Sequence, residues 1–190
     1  MKELKDRILT DGKALGTEIL KLDGFLNHQV DTKLTAHIGE EFARIFKDSG
    51  VNKILTVEAS GISVALATAT VLDVPMMFAK KKAPNTMVDG YYSAPIRSFT
   101  KGTLSTICVS KSYLTDKDVV VIIDDFLATG EAAIGLLDLA KQAGAKVVGI
   151  GAVVEKKWQG GHRRLEELGY RVESLAVIER LDEGVIEFAE

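Results

Sequence analysis

A single cysteine, Cys108, is all the thiol chemistry this chain has. One thiol excludes an intrachain disulfide and a cysteine-rich metal site, and it makes a cytoplasmic location the expectation. Positive charge is not in excess either, since 24 Lys and Arg stand against 27 Asp and Glu for a formal net charge of -3. That balance argues against a general nucleic-acid binder, whose affinity rests on clustered cations neutralising phosphates. The first nine residues are charged and helical in pattern, unlike a signal peptide. No segment approaches the roughly 20 apolar residues that a spanning helix needs, so no membrane partner is expected. Internal repeats, low-complexity tracts and linkers are missing as well, which leaves one domain over residues 1–190. No Gly-x-Gly-x-x-Gly follows the first core strand, and this excludes a dinucleotide-binding domain.

What is present is a chain of 190 residues, 46% hydrophobic and 27% charged, enough for a full core in a soluble globular domain. The pattern predicts a short helix over 4–11 closed by Gly12, a small strand over 18–22, and a loop over 23–28. Asp31 or Thr32 caps a helix whose apolar residues, Leu34, Ile38, Phe42 and Ile45, share one face; Gly50 ends it. Strand and helix then alternate, with strands over 53–57, 75–79, 119–123, 147–154 and 171–181. Helices are expected over 62–72, from Ala133 to a stop at Gly144, and over 163–168. The run 119–123 is five β-branched residues, apolar on both faces, and so belongs at the centre of a parallel sheet. The predicted class is α/β, a doubly wound central parallel sheet flanked by helices. Residues 84–112 break the alternation with a plausible hairpin. A connection of that length is either a lid or a β excursion without a role, and the sequence favours neither.

The stretch 119–133 orders a strand, two carboxylates and a small-residue turn. Ligands of an open parallel sheet sit at the carboxyl ends of its strands, the place of Asp124 and Asp125. Ala128-Thr129-Gly130-Glu131-Ala132 then opens a helix. Small side chains let the backbone approach a ligand, and Gly130 accepts backbone angles that other residues resist. Free amides at a helix N-terminus face an anion, and the dipole favours it; Thr129 adds a hydroxyl donor. A phosphate is the natural guest. The two carboxylates would repel it, but they can accept hydrogen bonds from vicinal sugar hydroxyls or hold Mg²⁺ through oxygen. Together they describe a sugar phosphate. The alternative, a helix-capping Thr129 beside solvated strand-end aspartates, suits a lone Thr-Gly better than the whole run.

The sequence Val-Ile-Ile-Asp-Asp-Phe-Leu-Ala-Thr-Gly-Glu-Ala-Ala at 121–133 resembles the phosphoribosyl-pyrophosphate signature of the type I phosphoribosyltransferases. Phe25-Leu26-Asn27-His28, the turn 58–61, Ser98-Phe99-Thr100-Lys101 and residues 169–175 extend the resemblance nearly end to end and toward the purine branch. It implies a small N-terminal hood over about 1–35 together with the C-terminal strands, a flexible β lid over about 84–112, and a homodimer. It implies that Ala128, Thr129, Gly130, Glu131 and Ala132 hold the 5-phosphate while Asp124 and Asp125 face the ribose hydroxyls. Glu58, Ala59, Ser60 and Gly61 take the pyrophosphate position, although Ser60 also reads as a helix cap. Lys81, with Lys80 and Lys82, is placed to neutralise pyrophosphate, although a lysine run also reads as a solvated face. Leu20, Asn27 and Lys156 are implied as the purine contacts.

The implied reaction joins a purine nitrogen, xanthine's in the first reading, to the anomeric carbon of phosphoribosyl pyrophosphate and expels pyrophosphate. Mg²⁺ is expected to arrive with that substrate, with no ligand assigned to the protein. Guanine, hypoxanthine or adenine is the alternative acceptor, and a phosphoribosyl-pyrophosphate-sensing regulator the more distant one. One departure matters. Related hypoxanthine-guanine enzymes carry an acid before the Thr-Gly as base for the purine proton, and this chain has Ala128. Another group takes that proton, or the substrate loses it readily, and xanthine is the more acidic purine. His28 is nearest the expected base pocket, while His37 and His162 read as ordinary helix residues. Trp158, Gly160 and Gly161 carry no functional reading at this level.

Overall fold

Strand β7 (Val119–Leu127) organises the molecule, because its side chains alternate between two cores. Val121 and Ile123 pack into one apolar cluster and Val120 and Ile122 into the other, all fully buried. Each such side chain contributes about 1.5–3 kcal/mol by leaving water. The computed structural model describes residues 1–82, 85, 87, 90–97 and 104–189. Among these, six strands form the main sheet: β3 (Lys53–Val57), β4 (Met76–Ala79), β7, β8 (Lys146–Lys156), β9 (Val172–Asp182) and β10 (Val185–Phe188), in the order β10-β9-β8-β7-β3-β4. Neighbours are parallel except for β10, which returns antiparallel on β9. The expected doubly wound α/β sheet is therefore the observed one, with one antiparallel edge.

One face is covered by α1 (Lys2–Asp11), α2 (Thr32–Phe46) and α3 (Gly61–Leu72), the other by α4 (Glu131–Ala143) and α5 (Gly161–Glu167). Asp31 is the cap of α2, its side chain accepting from the Leu34 amide at 3.1 Å, which satisfies one of the free first-turn donors. Glycines in β8 make room for the helix above. A methyl group on Gly149 would lie 2.4 Å from the Phe46 ring, and one on Gly151 2.7 Å from the Phe42 ring. Phe42 and Phe46, both fully buried, thus rest directly on strand backbone.

Near the N-terminus, β1 (Lys13–Leu15) and β2 (Ile19–Lys21) form a small antiparallel hairpin, followed by a wide helical turn over Asp23–Asn27. The pattern showed only the second strand and read 23–28 as a loop. Three of that turn's amides instead converge on the Leu22 carbonyl. The irregular segment after β4 holds a second hairpin, β5 (Tyr91–Arg97) paired with β6 (Leu104–Ser110). Its body is fixed. Ala94, Ile107 and Val109 are buried against α4, and Gln142 donates to the Ser93 carbonyl at 2.9 Å. The lid expectation thus meets a packed hairpin where the segment is described, and its part from Ser98 to Lys101 lies outside the described residues. A further difference is the length of β7. The aspartates lie within it, Asp124 paired with Ala152 of β8, and the strand ends only at Leu127.

Candidate active site

The site sits where β3, β7 and β8 end. Asp124 is its hinge point, touching two helix N-termini. On one side it lines, with Phe126, Thr129, Gly130 and Gly151, a cavity of about 160 Å³ at the mouth of α4. On the other, α3 presses against it, for a methyl group on Gly61 would lie 2.8 Å from Asp124 Oδ1 and 2.4 Å from Thr56 Oγ1. Only glycine lets α3 begin that close. Neither helix is capped by a side chain. In α3 the Ile62 amide donates to the Ala59 carbonyl at 3.2 Å; the other first-turn amides of the two helices have no side-chain cap and suit an anion. Ser60 stands at the cap position of α3 but makes no cap bond, so the helix-cap alternative for it is not what the structure contains.

Gly130 has φ 83°, a left-handed conformation that starts α4 at the required angle. Ala128, Thr129, Gly130, Glu131 and Ala132 are brought together around the cavity as one turn. The turn 58–61 contains a cis peptide between Glu58 and Ala59. Glu58 is held at both ends, its amide donating to Ala79 at 3.1 Å and its Oε1 accepting from the Lys81 amide at 2.7 Å. Lys81 is exposed and near enough for its charge to act on Asp124. Lys80 serves the scaffold instead, its amide and carbonyl pairing with those of Cys108 at 2.9 and 2.8 Å.

Burial first, and then the neighbouring Asp125 carboxylate, hold the Asp124 carboxyl well above the usual carboxylate range. The Lys81 ammonium pulls the other way but does not win. Asp124 Oδ1 accepts from the Asp125 amide at 3.0 Å. Asp125 has a different partner, Asn27 of the wide helical turn, whose Nδ2 donates to Oδ2 at 2.5 Å. Asn27 is thus joined to the carboxylate pair, with its amide oxygen still an available acceptor.

Lys156 ends β8. Its ammonium donates to the Glu18 carbonyl at 2.6 Å and lies 5.6 Å from the centre of the Phe126 ring. Burial lowers its pKa, and the Glu18 charge opposes that only in part. Glu18 also accepts from Gln159 Nε2 at 2.7 Å, so the first hairpin is latched to the turn after β8. Leu20 is buried at 7% exposure, packed into the apolar cluster of α1 and α2 rather than forming an open wall.

Three contributors escaped the sequence reading. Phe126 lines the cavity with Asp124 while packing against the cluster of Val121 and Ile123, a placement that the simple period of the strand does not give. Gly161 packs against the outside of the turn 128–132, donating to the Ala128 carbonyl at 3.0 Å. His162 is not an ordinary helix residue, because its Nδ1 lies 2.7 Å from the nearly fully buried Glu155. Burial lowers the His162 pKa, but the hydrogen bond to Glu155 and the charges of Glu155 and Glu166 outweigh it, and the net shift is upward.

Residues 29–188 match the family described as "Phosphoribosyl transferase domain". The xanthine phosphoribosyltransferases of Staphylococcus aureus strains JH9 and Newman are each 53% identical over 182 residues, covering 96% of this chain and 95% of theirs. Among solved structures, the adenine phosphoribosyltransferase of Giardia lamblia complexed with 9-deazaadenine superposes with TM-score 0.78 at 21% identity, covering 92% of this chain and 96% of that one. That of Rhodothermus marinus gives TM-score 0.73 at 19% identity, with 93% and 99% covered. These two likenesses concern the fold.

Proposed function

Since the chain belongs to the phosphoribosyl transferase family, we propose that it transfers the 5-phosphoribosyl group of phosphoribosyl pyrophosphate to xanthine, giving xanthosine 5'-monophosphate and pyrophosphate. The observation that carries this reading is Asp124 set between two uncapped helix N-termini, one for each phosphate end of the donor. The turn 128–132 takes the 5-phosphate on backbone amides, and the turn 58–61 with Lys81 takes the pyrophosphate. Asp124 and Asp125 accept hydrogen bonds from the ribose hydroxyls, which fixes the ring between the two anion sites. The 53% identity to proteins named xanthine phosphoribosyltransferase supports the acceptor.

A ring nitrogen of the purine bonds to the anomeric carbon. The bond from that carbon to the pyrophosphate oxygen breaks, and its electron pair leaves with pyrophosphate. Positive charge gathers on the ribose ring as this happens, and the Asp124–Asp125 pair faces it. Holding base, ribose and leaving group in line supplies much of the barrier reduction. Lys156 keeps two N–H donors after its bond to Glu18 and offers one to a purine carbonyl oxygen. Asn27 offers its amide oxygen to a purine N–H, and the Phe126 ring lies beside the base. With Ala128 in the turn, the purine proton passes to water or to a group outside the signature.

Asp124 and Asp125 are hard oxygen donors of the kind Mg²⁺ takes, and one Asp125 oxygen is occupied by Asn27. Among the described residues no group of three or more His, Cys, Asp or Glu is placed to hold a metal. The ion is therefore read as carried mainly by substrate oxygens, and when bound it neutralises charge on the departing pyrophosphate. A homodimer, a cytoplasmic location and a role in purine salvage complete the proposal. The test is nucleotide formation from Mg²⁺, phosphoribosyl pyrophosphate and each of xanthine, guanine, hypoxanthine and adenine in turn. Preference for xanthine is expected. Turnover with none of the four overturns the enzyme reading, and preference for guanine overturns the acceptor.

A further inference from the structure

We propose that Glu155 and His162 are positioning residues that set the shape of the phosphate-binding turn through α5, an inference that rests on the reading of that turn as the 5-phosphate site. The turn has little to hold it from within, since no side chain caps α4 and Gly130 sits at a left-handed φ. Its support comes from outside. Gly161 donates to Ala128 O at 3.0 Å, and a methyl group built on Gly130 would lie only 3.4 Å from Gly161 Cα and 3.7 Å from Leu165 Cγ. Arg164 adds a bond to the Thr129 carbonyl at 3.4 Å and an ion pair with Glu131. Every one of these contacts originates in α5.

That helix spans seven residues, Gly161–Glu167, too few to be stable by its own hydrogen bonds. Two anchors hold it. One is Leu165, fully buried in the α4 core. The other is polar. Glu155, 3% exposed on β8, accepts from His162 at 2.7 Å and from Ser174 Oγ on β9 at 2.5 Å. A carboxylate so buried is tolerated only when its partners are in place, so the geometry of all three is mutually fixed. Glu155 also pairs with Leu127 of β7, the residue directly before the turn. The carboxylate thus ties the strand that leads into the turn to the helix that braces it from behind. The groups around His162 are Glu155, Ser174 and its own helix neighbour Glu166, with Met1, Lys5, Lys157 and Arg163 lining the same cavity of about 560 Å³.

The test is steady-state kinetics of the full chain with each substrate varied, for wild type, His162→Ala and His162→Asn. His162→Ala removes a hydrogen bond to a buried carboxylate. His162→Ala is therefore expected to raise KM for phosphoribosyl pyrophosphate about tenfold (about 1.4 kcal/mol), with KM for xanthine and kcat within about twofold. His162→Asn places an amide nitrogen where Nδ1 lies and is expected to bring the KM back to within about threefold of wild type. If His162→Ala does not fold, Ser174→Ala, which removes the other donor to Glu155, carries the same expectation at about threefold. An unchanged KM for phosphoribosyl pyrophosphate, a parallel rise in both KM values, or an Asn variant no better than Ala overturns the inference. A wild-type chain with no turnover instead overturns the proposed function, so the two failures are told apart.

Discussion

Replacing Gly161 by alanine isolates the brace on the turn 128–132, the proposed 5-phosphate site, from everything else in the site. The added methyl group would lie 2.3 Å from the Ala128 oxygen, 2.7 Å from the Gly130 nitrogen and 2.9 Å from the Thr129 carbonyl carbon. All three are backbone atoms, so no side-chain rotation relieves the overlap, and either the turn or α5 must move. Overpacking of this kind costs about 1–3 kcal/mol. If the turn yields, that energy is withdrawn from binding the 5-phosphate, and 1.4 kcal/mol per decade makes the loss about fivefold to 150-fold in KM for phosphoribosyl pyrophosphate. KM for the purine should move far less. The control is Gly169→Ala, also at a demanding backbone angle, φ 86°, but with nothing within 4 Å of the new methyl group. It should lower the melting temperature through a left-handed penalty of about 1–2 kcal/mol and leave both KM values alone. Initial rates at saturating xanthine with varied donor, beside thermal melts, read out both variants. A Gly161→Ala enzyme with a wild-type donor KM and a lowered melting temperature refutes the reasoning, because α5 would then have yielded and not the turn.

Asp124→Asn should raise the melting temperature at neutral pH while lowering turnover, checked by calorimetry and by rate. The folded-state pKa of Asp124 is raised, so its contribution to stability is present below about pH 3.9 and is lost as pH climbs through the folded value; the neutral amide does not lose it. His162 has a raised pKa too, so its stabilisation is complete below about pH 6.5 and is lost as pH rises through its elevated value; His162→Asn should flatten that slope in melts taken from pH 6 upward. Asn27→Ala should raise KM for both substrates by about tenfold or more, since a bond to a charged group is worth about 1.5–3 kcal/mol and Asn27 meets Asp125 directly; a rise for xanthine alone would detach it from the sugar side. Phe42→Ala should cost about 3–5 kcal/mol in urea unfolding, because the void opens onto the Gly151 backbone and nothing can fill it.

Much of the fold was legible because the core strands bury both faces. The run at 119–123 has one physical use, and β3 occupies the residues its pattern indicated. What escaped notice depends on partners far along the chain. The strand Lys13–Leu15 is three residues long and exists only as a mate for β2. β7 continues through two aspartates, which locally disfavour a strand, because β8 pairs with it as far as Leu127. Residues 124–132 were readable as one candidate group, since strand, carboxylates and turn are contiguous. Asn27 and Lys156 were reached only through the family resemblance, and Phe126 not at all, because the three are brought together by the latch at Glu18 and the bond to Asp125. Glu155 was invisible for the same reason. An acidic residue in a strand reads as surface until His162 and Ser174, from two other elements, enclose it.

The hairpin β1–β2 reaches the sheet's working end through few joints, chief among them Glu18 with Lys156 and Gln159. The donor turns grow out of the sheet itself and are braced by α5. Divergence therefore has separate territories to work in. On the proposed reading, substitutions in the hairpin 13–21 can drift toward a new base without disturbing the turns that would hold the sugar, Asn27 being tied to Asp125, whereas a change in the sheet-borne turns would disable every base at once. A lineage built this way changes its diet at the periphery and keeps its engine.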